Sequence, residues 1–302
     1  MDNMQLITLV NTQVIPICIF LIMMGMGLSL VVNDFKRVIK YPKAVAIGLT
    51  NQLLLLPIIG FALASIMPLE PEYAVGVMLL VLCPGGTTSN MFSHLAKADV
   101  ALSVTMTAVA SLLTVFTIPV VLNYSLIHFM GEGSEFQLPI MATMISLMKL
   151  TIVPIAVGML IRRYAPKVAE STQVHVSRFG ILFLTLLIIF LTYIQQDIVI
   201  PALIAAGPVS IILNISTMLL GYYTSKWFGL NFAQRTSITI EVGLQNSTLS
   251  MFMALTLLAN YKMSFTPAIY TLTMLFTASI LVGMLNTKYI KAKQLRASIA
   301  ES

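Results

Sequence analysis

Apolar segments long enough to cross a lipid bilayer recur along the whole chain. A helix needs about 20 predominantly apolar residues to cross the roughly 30 Å hydrocarbon core. The composition agrees, because the 302 residues are 58% hydrophobic and only 9% charged, with a mean hydropathy of +0.94. A soluble globular surface needs far more charge. The sequence therefore predicts an all-α polytopic membrane protein whose surroundings are a lipid bilayer.

We count nine such segments and place one transmembrane helix on each. Their approximate bounds are residues 10–32, 44–67, 73–95, 101–124, 140–161, 178–196, 203–224, 233–258 and 266–287. Of the 17 Lys and Arg residues, all but two lie in alternate connections or in the C-terminal tail; Lys262 lies on the opposite side and Lys149 inside a span. By the positive-inside rule, this asymmetry predicts a multi-pass protein of the plasma (inner) membrane, with its C-terminus cytoplasmic and its N-terminus outside.

The net charge of +6 has the same origin, since the basic residues belong to short connections. We therefore expect no nucleic-acid partner. Cys18 and Cys83 both lie in apolar segments, where cysteine behaves as a small buried hydrophobe. They indicate neither a disulfide framework nor a metal site.

Two of the nine spans are interrupted by residues that disfavour a continuous helix. The third contains CPGGTTSN at 83–90, and the eighth contains EVGLQN at 241–246. Pro84 removes a helix hydrogen bond, and Gly85 and Gly86 lower the cost of an unwound backbone. Within a bilayer, such a break is tolerated only where it is buried in protein or lines a watery cavity. The first motif alone is equally consistent with a simple kink, but the recurrence favours true breaks.

The matching breaks lie in oppositely directed spans, which is the pattern of an inverted-topology repeat. We predict one transmembrane transporter domain, 1–302, with repeats at about 10–124 and 178–287 joined by a connector helix at 140–161. The two broken helices would cross near the bilayer midplane. Their half-helix ends would present positive ends to an anion and negative ends to a cation.

Glu241 is the one acid placed well inside a predicted span. A carboxylate at that depth costs at least about 2.5–3.5 kcal/mol on insertion scales. It is therefore protonated, paired with Lys149, or bound to a cation. Cation binding is favoured because oxygen-bearing side chains surround both breaks, and such ligands suit hard cations rather than transition metals. These side chains are Thr87, Thr88, Ser89, Asn90, Gln245, Asn246, Ser247 and Thr248, with Gln52, Ser103, Thr105 and Thr107 as further candidates in other spans.

An intramembrane enzyme is the reading that the sequence supports least. The three histidines lie at span edges, too shallow to activate Ser89 or Ser247 as a nucleophile. We therefore expect a protein that is not an enzyme.

The two broken motifs, together with the ALSVT that follows the first and the ITIEVGLQNS around the second, resemble the signatures of the bile acid:sodium symporter family. GMGLSL in the first span, followed by NDF and KYPK, is similar to the same pattern. The resemblance extends over essentially the whole chain. It implies sodium-coupled uptake of an organic anion, with two sodium ions, in a crevice between a core domain of spans 2–4 and 7–9 and a panel domain of spans 1, 5 and 6.

The resemblance also implies a set of binding residues. One sodium site would use Ser89, Asn90, Ser103, Thr107 and Glu241. The other would use Gln52, Glu241, Gln245 and the backbone carbonyls of Val242 and Leu244. The anion, a bile acid or another small hydrophobic carboxylate, would lie beside the half-helix N-termini, against Thr87, Thr88, Asn246 and Ser247.

The last span departs from the family pattern. Some bacterial members place a His-Asn pair near the substrate, where this chain has TLTMLFTAS at 271–279. The expected polar group is thus missing, or is replaced by Thr271, Thr273 or Thr277. A sodium/proton antiporter that uses Glu241 is the alternative function, although such exchangers often have paired acids and this chain has one acid among amides.

Overall fold

A computed structural model describes residues 9–131 and 138–300, without the side chains of residues 11 and 288–300. The described chain is helical. Its α-helices are α1 (Ile15–Ser29), α2 (Val32–Lys40), α3 (Pro42–Thr50), α4 (Leu56–Ile66), α5 (Pro71–Val81), α6 (Thr87–Leu95), α7 (Val100–Met130), α8 (Ile140–Leu147), α9 (Val153–Tyr164), α10 (Pro166–Ile194), α11 (Gln196–Trp227), α12 (Phe232–Gly243), α13 (Ser247–Phe252) and α14 (Tyr261–Ala300). Segments of π-helix at Val10–Val14, Asn51–Leu55, Met148–Ile152 and Met253–Leu257 adjoin or join them.

Within the described residues, seven helical stretches are long and apolar enough to cross a membrane. They are Thr12–Ser29, Pro42–Ile66, Val100–Met130, Ile140–Tyr164, Pro166–Ile194, Gln196–Trp227 and Tyr261–Thr287. The expectation of an all-α membrane protein is therefore confirmed. The third and eighth predicted spans instead form the broken pairs α5–α6 and α12–α13, and the count of nine crossings stays a prediction.

Several helices extend beyond the apolar segments that predicted them. The span predicted at 178–196 belongs to α10, which begins at Pro166, and the last predicted span belongs to α14, which continues to Ala300. The reason is physical, since hydropathy marks where a helix leaves the hydrocarbon and a helix can continue into water beyond that depth.

The helices pack in two groups around the broken pairs. The first helix, α1, packs on α9 and α10. Helix α11 packs on α12 and α14, and α14 also packs on α5. Buried apolar side chains fill both groups, with Ile19 and Met23 in one cluster and Leu213 and Tyr270 in another. The broken pairs are thus enclosed by protein.

Two glycines allow α1 and α9 to approach closely. A Cβ atom added to Gly27 would lie 2.2 Å from the carbonyl oxygen of Ile155, and one added to Gly158 would lie 2.3 Å from that of Met24. Since the obstructing atoms belong to the backbone, they cannot rotate away. Small residues at such a crossing are typical of helix packing in membranes, where van der Waals contact drives association.

We expect Gly158→Ala to destabilise the protein, because overpacking against a rigid backbone costs about 1–3 kcal/mol. Gly207→Ala is the matched control, since nothing lies within 4 Å of the added Cβ. In thermal unfolding of the detergent-solubilised protein, Gly158→Ala should lower the midpoint while Gly207→Ala leaves it unchanged or raises it. Equal midpoints for both variants would contradict the close approach.

Candidate functional site

The two helix breaks lie directly against each other. Helix α5 ends at Val81 and helix resumes at Thr87, whereas α12 ends at Gly243 and helix resumes at Ser247. Gly85 pairs with Gln245 in an isolated antiparallel bridge. The N–H of Asn246 donates to the carbonyl oxygen of Pro84 over 3.0 Å. Each break thus supplies hydrogen-bond partners for the backbone groups that the other leaves free.

The carboxylate of Glu241 lies beside this contact, and its residue is only 1% exposed. Its Oε2 accepts hydrogen bonds from Ser89 Oγ over 2.7 Å and from Ser103 Oγ over 2.6 Å. Thr107 Oγ1 donates to Oε1. The Ser103 hydroxyl is also 2.8 Å from Asn90 Oδ1. The first predicted sodium set is therefore gathered in one place, with oxygen atoms from α6 and α7 around the carboxylate of α12.

The carboxylate has no basic partner in the described part of the chain. No Lys, Arg or His nitrogen there lies within 4.0 Å of Glu241. Lys149 is exposed in the π-helical segment Met148–Ile152, so the pairing considered from the sequence is not formed. A buried carboxylate that is surrounded by oxygen atoms can hold a hard cation. Groups of three or more His, Cys, Asp or Glu suited to a metal are not found among the described residues.

Most of the second predicted sodium set is linked by hydrogen bonds at the two breaks. Gln52 Nε2 donates to the Cys83 carbonyl oxygen over 2.9 Å and to Gln245 Oε1 over 2.7 Å. Gln245 Nε2 donates in turn to the carbonyl oxygen of Val242 over 2.7 Å. Leu244 is buried in the same break. The described hydrogen bonds of Glu241 itself all go to the first set.

The four predicted anion-binding residues line one cavity of about 70 Å³. Thr87 and Thr88 come from the start of α6, and Asn246 and Ser247 from the second break. The sequence reasoning did not predict the apolar residues that line this cavity, because an apolar residue of a membrane helix looks the same whether it faces lipid or a cavity. These apolar residues include Ile22, Met23, Met26, Val176, Ile181, Leu184 and Met274.

A second, larger cavity of about 440 Å³ adjoins the first and shares Thr87 and Thr88 with it. His94 and Gln173 also line this larger cavity. Asn90 is in its wall too. The larger cavity therefore adjoins the polar edge of the two breaks at the start of α6.

The threonines of the last span do not replace the missing polar group. Thr271 and Thr273 donate to carbonyl oxygens of their own helix, and Thr277 donates to Asn214 Oδ1 over 2.6 Å. None of the three lines either cavity; Met274 does. The sequence left two possibilities, a missing polar group or its replacement by one of these threonines. The described side chains agree with the first.

Asn214 and Tyr270 hold the second break in place, and sequence reasoning missed both. Asn214 Nδ2 donates to the Gly243 carbonyl oxygen over 2.9 Å, and the Tyr270 hydroxyl donates to the same oxygen over 2.8 Å. That carbonyl lies at the end of α12, where its helical partner is lost. Asn214 is fully buried in an apolar span. A polar amide inside a predicted membrane helix is the sequence feature that could have identified it as functional.

Two broken helices that meet at a buried, unpaired carboxylate define a helical membrane protein with a polar centre, an arrangement typical of secondary transporters. Sequence comparison agrees, since the profile of the Sodium Bile acid symporter family matches residues 16–202. The chain belongs to this family of sodium-dependent transporters, as the motif resemblance predicted.

Individual relatives come from bacteria, animals and plants. The uncharacterized sodium-dependent transporter YocS of Bacillus subtilis is 31% identical over 80% of this chain and 73% of its own length. The human ileal sodium/bile acid cotransporter is 28% identical over 92% of this chain and 80% of its own. The probable chloroplastic sodium/metabolite cotransporter BASS2 of rice is 31% identical over 83% of this chain, which spans 58% of the rice protein.

We expect Gly85→Ala to disturb the site and Gly86→Ala to leave it intact. A Cβ added to Gly85 would lie 2.2 Å from Glu241 Oε1, whereas the nearest atom to one added to Gly86 is 3.8 Å away. The carboxylate would have to leave its hydroxyl partners, and a buried group that loses its hydrogen bonds costs about 1–3 kcal/mol. Thermal unfolding midpoints of the purified variants measure this, and a Gly86→Ala midpoint as low as that of Gly85→Ala would contradict it.

Proposed function

We propose that this protein is a secondary active transporter that couples the uptake of an organic anion to sodium ions. One observation carries the proposal: the Glu241 carboxylate is buried beside two helix breaks, surrounded by hydroxyl groups and without a basic partner in the described chain. Such a carboxylate needs a compensating positive charge. The names of the relatives, which are cotransporters and sodium-dependent transporters, support sodium as that charge.

Two sodium ions are proposed, one for each of the two predicted residue sets. The first would be held by Ser89, Asn90, Ser103, Thr107 and Glu241, and the second by Gln52, Glu241, Gln245 and the carbonyls of Val242 and Leu244. Hydroxyl and carbonyl oxygens suit a hard cation. The short hydrogen bonds within each set support the grouping, because they bring the oxygens together in advance of the ion.

Charge balance supports a monovalent anion as the cargo. Glu241 and two sodium ions carry a net charge of +1, which one carboxylate neutralises. The anion would lie against Thr87, Thr88, Asn246 and Ser247, which share one cavity with an apolar wall. That wall favours a bile acid or another hydrophobic carboxylate. A cycle that moves one net charge inward gains about 2.3 kcal/mol per 100 mV of membrane potential.

The proposed architecture has nine crossings and an inverted repeat of about 10–124 and 178–287, with 140–161 as connector. The antiparallel contact of the two breaks supports it. The packing of α1 on α9 and α10 supports a panel of spans 1, 5 and 6 that moves against a core. The N-terminus, predicted to lie outside, and part of the connection between the spans predicted at 101–124 and 140–161 fall outside the described residues.

Neutralising Glu241 tests the sodium site. We expect Glu241→Gln to fold, because Gln matches Glu in size and keeps an oxygen for the hydroxyl donors, and to lose sodium-dependent thermal stabilisation and uptake. Glu170→Gln, which changes an exposed carboxylate, is the control and should keep wild-type sodium-dependent stabilisation and uptake. Full sodium coupling in Glu241→Gln would refute the proposed site.

Uptake by proteoliposomes that contain the purified protein distinguishes symport from the antiporter alternative. Symport predicts that sodium drives accumulation of a labelled hydrophobic carboxylate and that sodium alone leaves the internal pH unchanged. Proton release on addition of sodium, without an anion, would instead support exchange.

The proposed orientation is tested by cysteine labelling in a Cys18→Ser, Cys83→Ala background. Asp197 and Lys167 are both exposed and lie in connections predicted to face opposite sides. A membrane-impermeant thiol reagent should label Asp197→Cys on intact cells, and Lys167→Cys only after permeabilisation. The opposite pattern would overturn the orientation.

A further inference from the structure

A groove of about 590 Å³ lies between the end of α1 and the last turns of α9, away from the site described above. Leu30 and Val31, which link α1 to α2, and Val32, the first residue of α2, form one wall, and Met159 and Leu160 contribute to the other. Arg162 and Arg163 lie at one end. The groove is thus apolar along its length and basic at one end.

Nearby carboxylates only partly neutralise the positive charge of the two arginines. Arg162 Nη1 lies 3.1 Å from the Glu170 carboxylate, but it is buried and has no hydrogen-bond partner. Glu170 is itself 67% exposed, so water screens the pair. Arg163 is exposed, and its guanidinium lies over the ring of Tyr164, 5.6 Å from the centroid. No carboxylate in the described chain is within 4.0 Å of Arg163.

The neighbouring helix α2 has the composition of a helix that lies at a membrane surface. Lys36 and Lys40 are exposed on it. Val32 and Ile39 are also exposed, Ile39 to 84%. Exposed apolar and basic residues on one short helix are typical of the boundary between headgroups and acyl chains. The composition of α2 therefore favours a position of the adjoining groove near the headgroup region.

The N-terminus of α2 is disfavoured as the anion site, because the Asp34 carboxylate already lies there and accepts the Val31 N–H over 2.8 Å. The arginines are the available donors, and guanidinium groups bind phosphate through paired hydrogen bonds. A small inorganic anion would gain nothing from the apolar walls. A basic pocket between membrane helices on the cytoplasmic side is a known type of site for anionic lipid headgroups.

We propose that this groove binds one anionic phospholipid of the cytoplasmic leaflet. The phosphate contacts Arg162 and Arg163, and an acyl chain lies along residues 30–32 and Leu160. The proposal does not depend on sodium coupling or on the transported anion.

Native mass spectrometry of the purified full-length protein tests it. The protein is exchanged into detergent that contains equal amounts of phosphatidylglycerol and phosphatidylcholine, and the lipid retained after mild activation is counted. We expect one phosphatidylglycerol to be retained preferentially. Arg162→Gln with Arg163→Gln should weaken retention by roughly fivefold for each arginine, and Lys226→Gln, which removes an exposed charge outside the groove, should not.

Two further variants separate binding from a general loss of structure. Glu170→Gln frees Arg162 and should strengthen phosphatidylglycerol retention, a gain that misfolding cannot produce. Ala156→Phe keeps both charges but fills the groove and should weaken retention. Equal retention of the two lipids, unchanged retention in the double arginine variant, or displacement by millimolar inorganic phosphate would each overturn the proposal.

Discussion

The cost of placing one carboxylate in a low-dielectric interior governs the centre of this protein. Glu241 is 1% exposed, and an unpaired charge at that depth has to be compensated. The compensation visible in the structure is a set of hydroxyl donors, Ser89, Ser103 and Thr107, from the two helices that follow the first break. Ser89 follows the first break and Glu241 precedes the second, so the contact between the two breaks brings this donor and the carboxylate together.

The breaks themselves are stable because other elements satisfy their backbone. The carbonyl of Gly243 accepts hydrogen bonds from Asn214 and Tyr270, on α11 and α14. The carbonyl of Cys83 accepts one from Gln52. Unwound backbone survives at membrane depth only where such partners are available. The surrounding helices therefore do more than fill space, since their polar residues hold the unwound segments in one conformation.

Features that depend on local or periodic properties of the chain could be predicted from the sequence. Hydropathy located the membrane helices, and Pro84 with two glycines located the first break, because backbone constraints act on the residues that carry them. The clustering of Ser89, Ser103 and Glu241 was predicted through motif resemblance. Asn214 and Tyr270 were missed because their role depends on which carbonyl faces them across two helices. The Met and Ile residues of the cavity wall were missed because hydropathy cannot distinguish a cavity from lipid.

The departure of the last span from the family pattern acquires a physical meaning once its side chains are placed. The Thr277 hydroxyl donates a hydrogen bond to Asn214, and Asn214 in turn donates to the Gly243 carbonyl. Met274, not a threonine, lines the cavity. In the proposed transport, the anion would then find polar contacts at the two breaks and at Ser177 of α10, while α1, α14 and the rest of α10 offer apolar surface. A site divided in this way would select for cargo with one charged end and an apolar body. The carboxylate of the cargo would couple its transport to sodium. The apolar wall of the cavity would determine which apolar part of a cargo molecule fits.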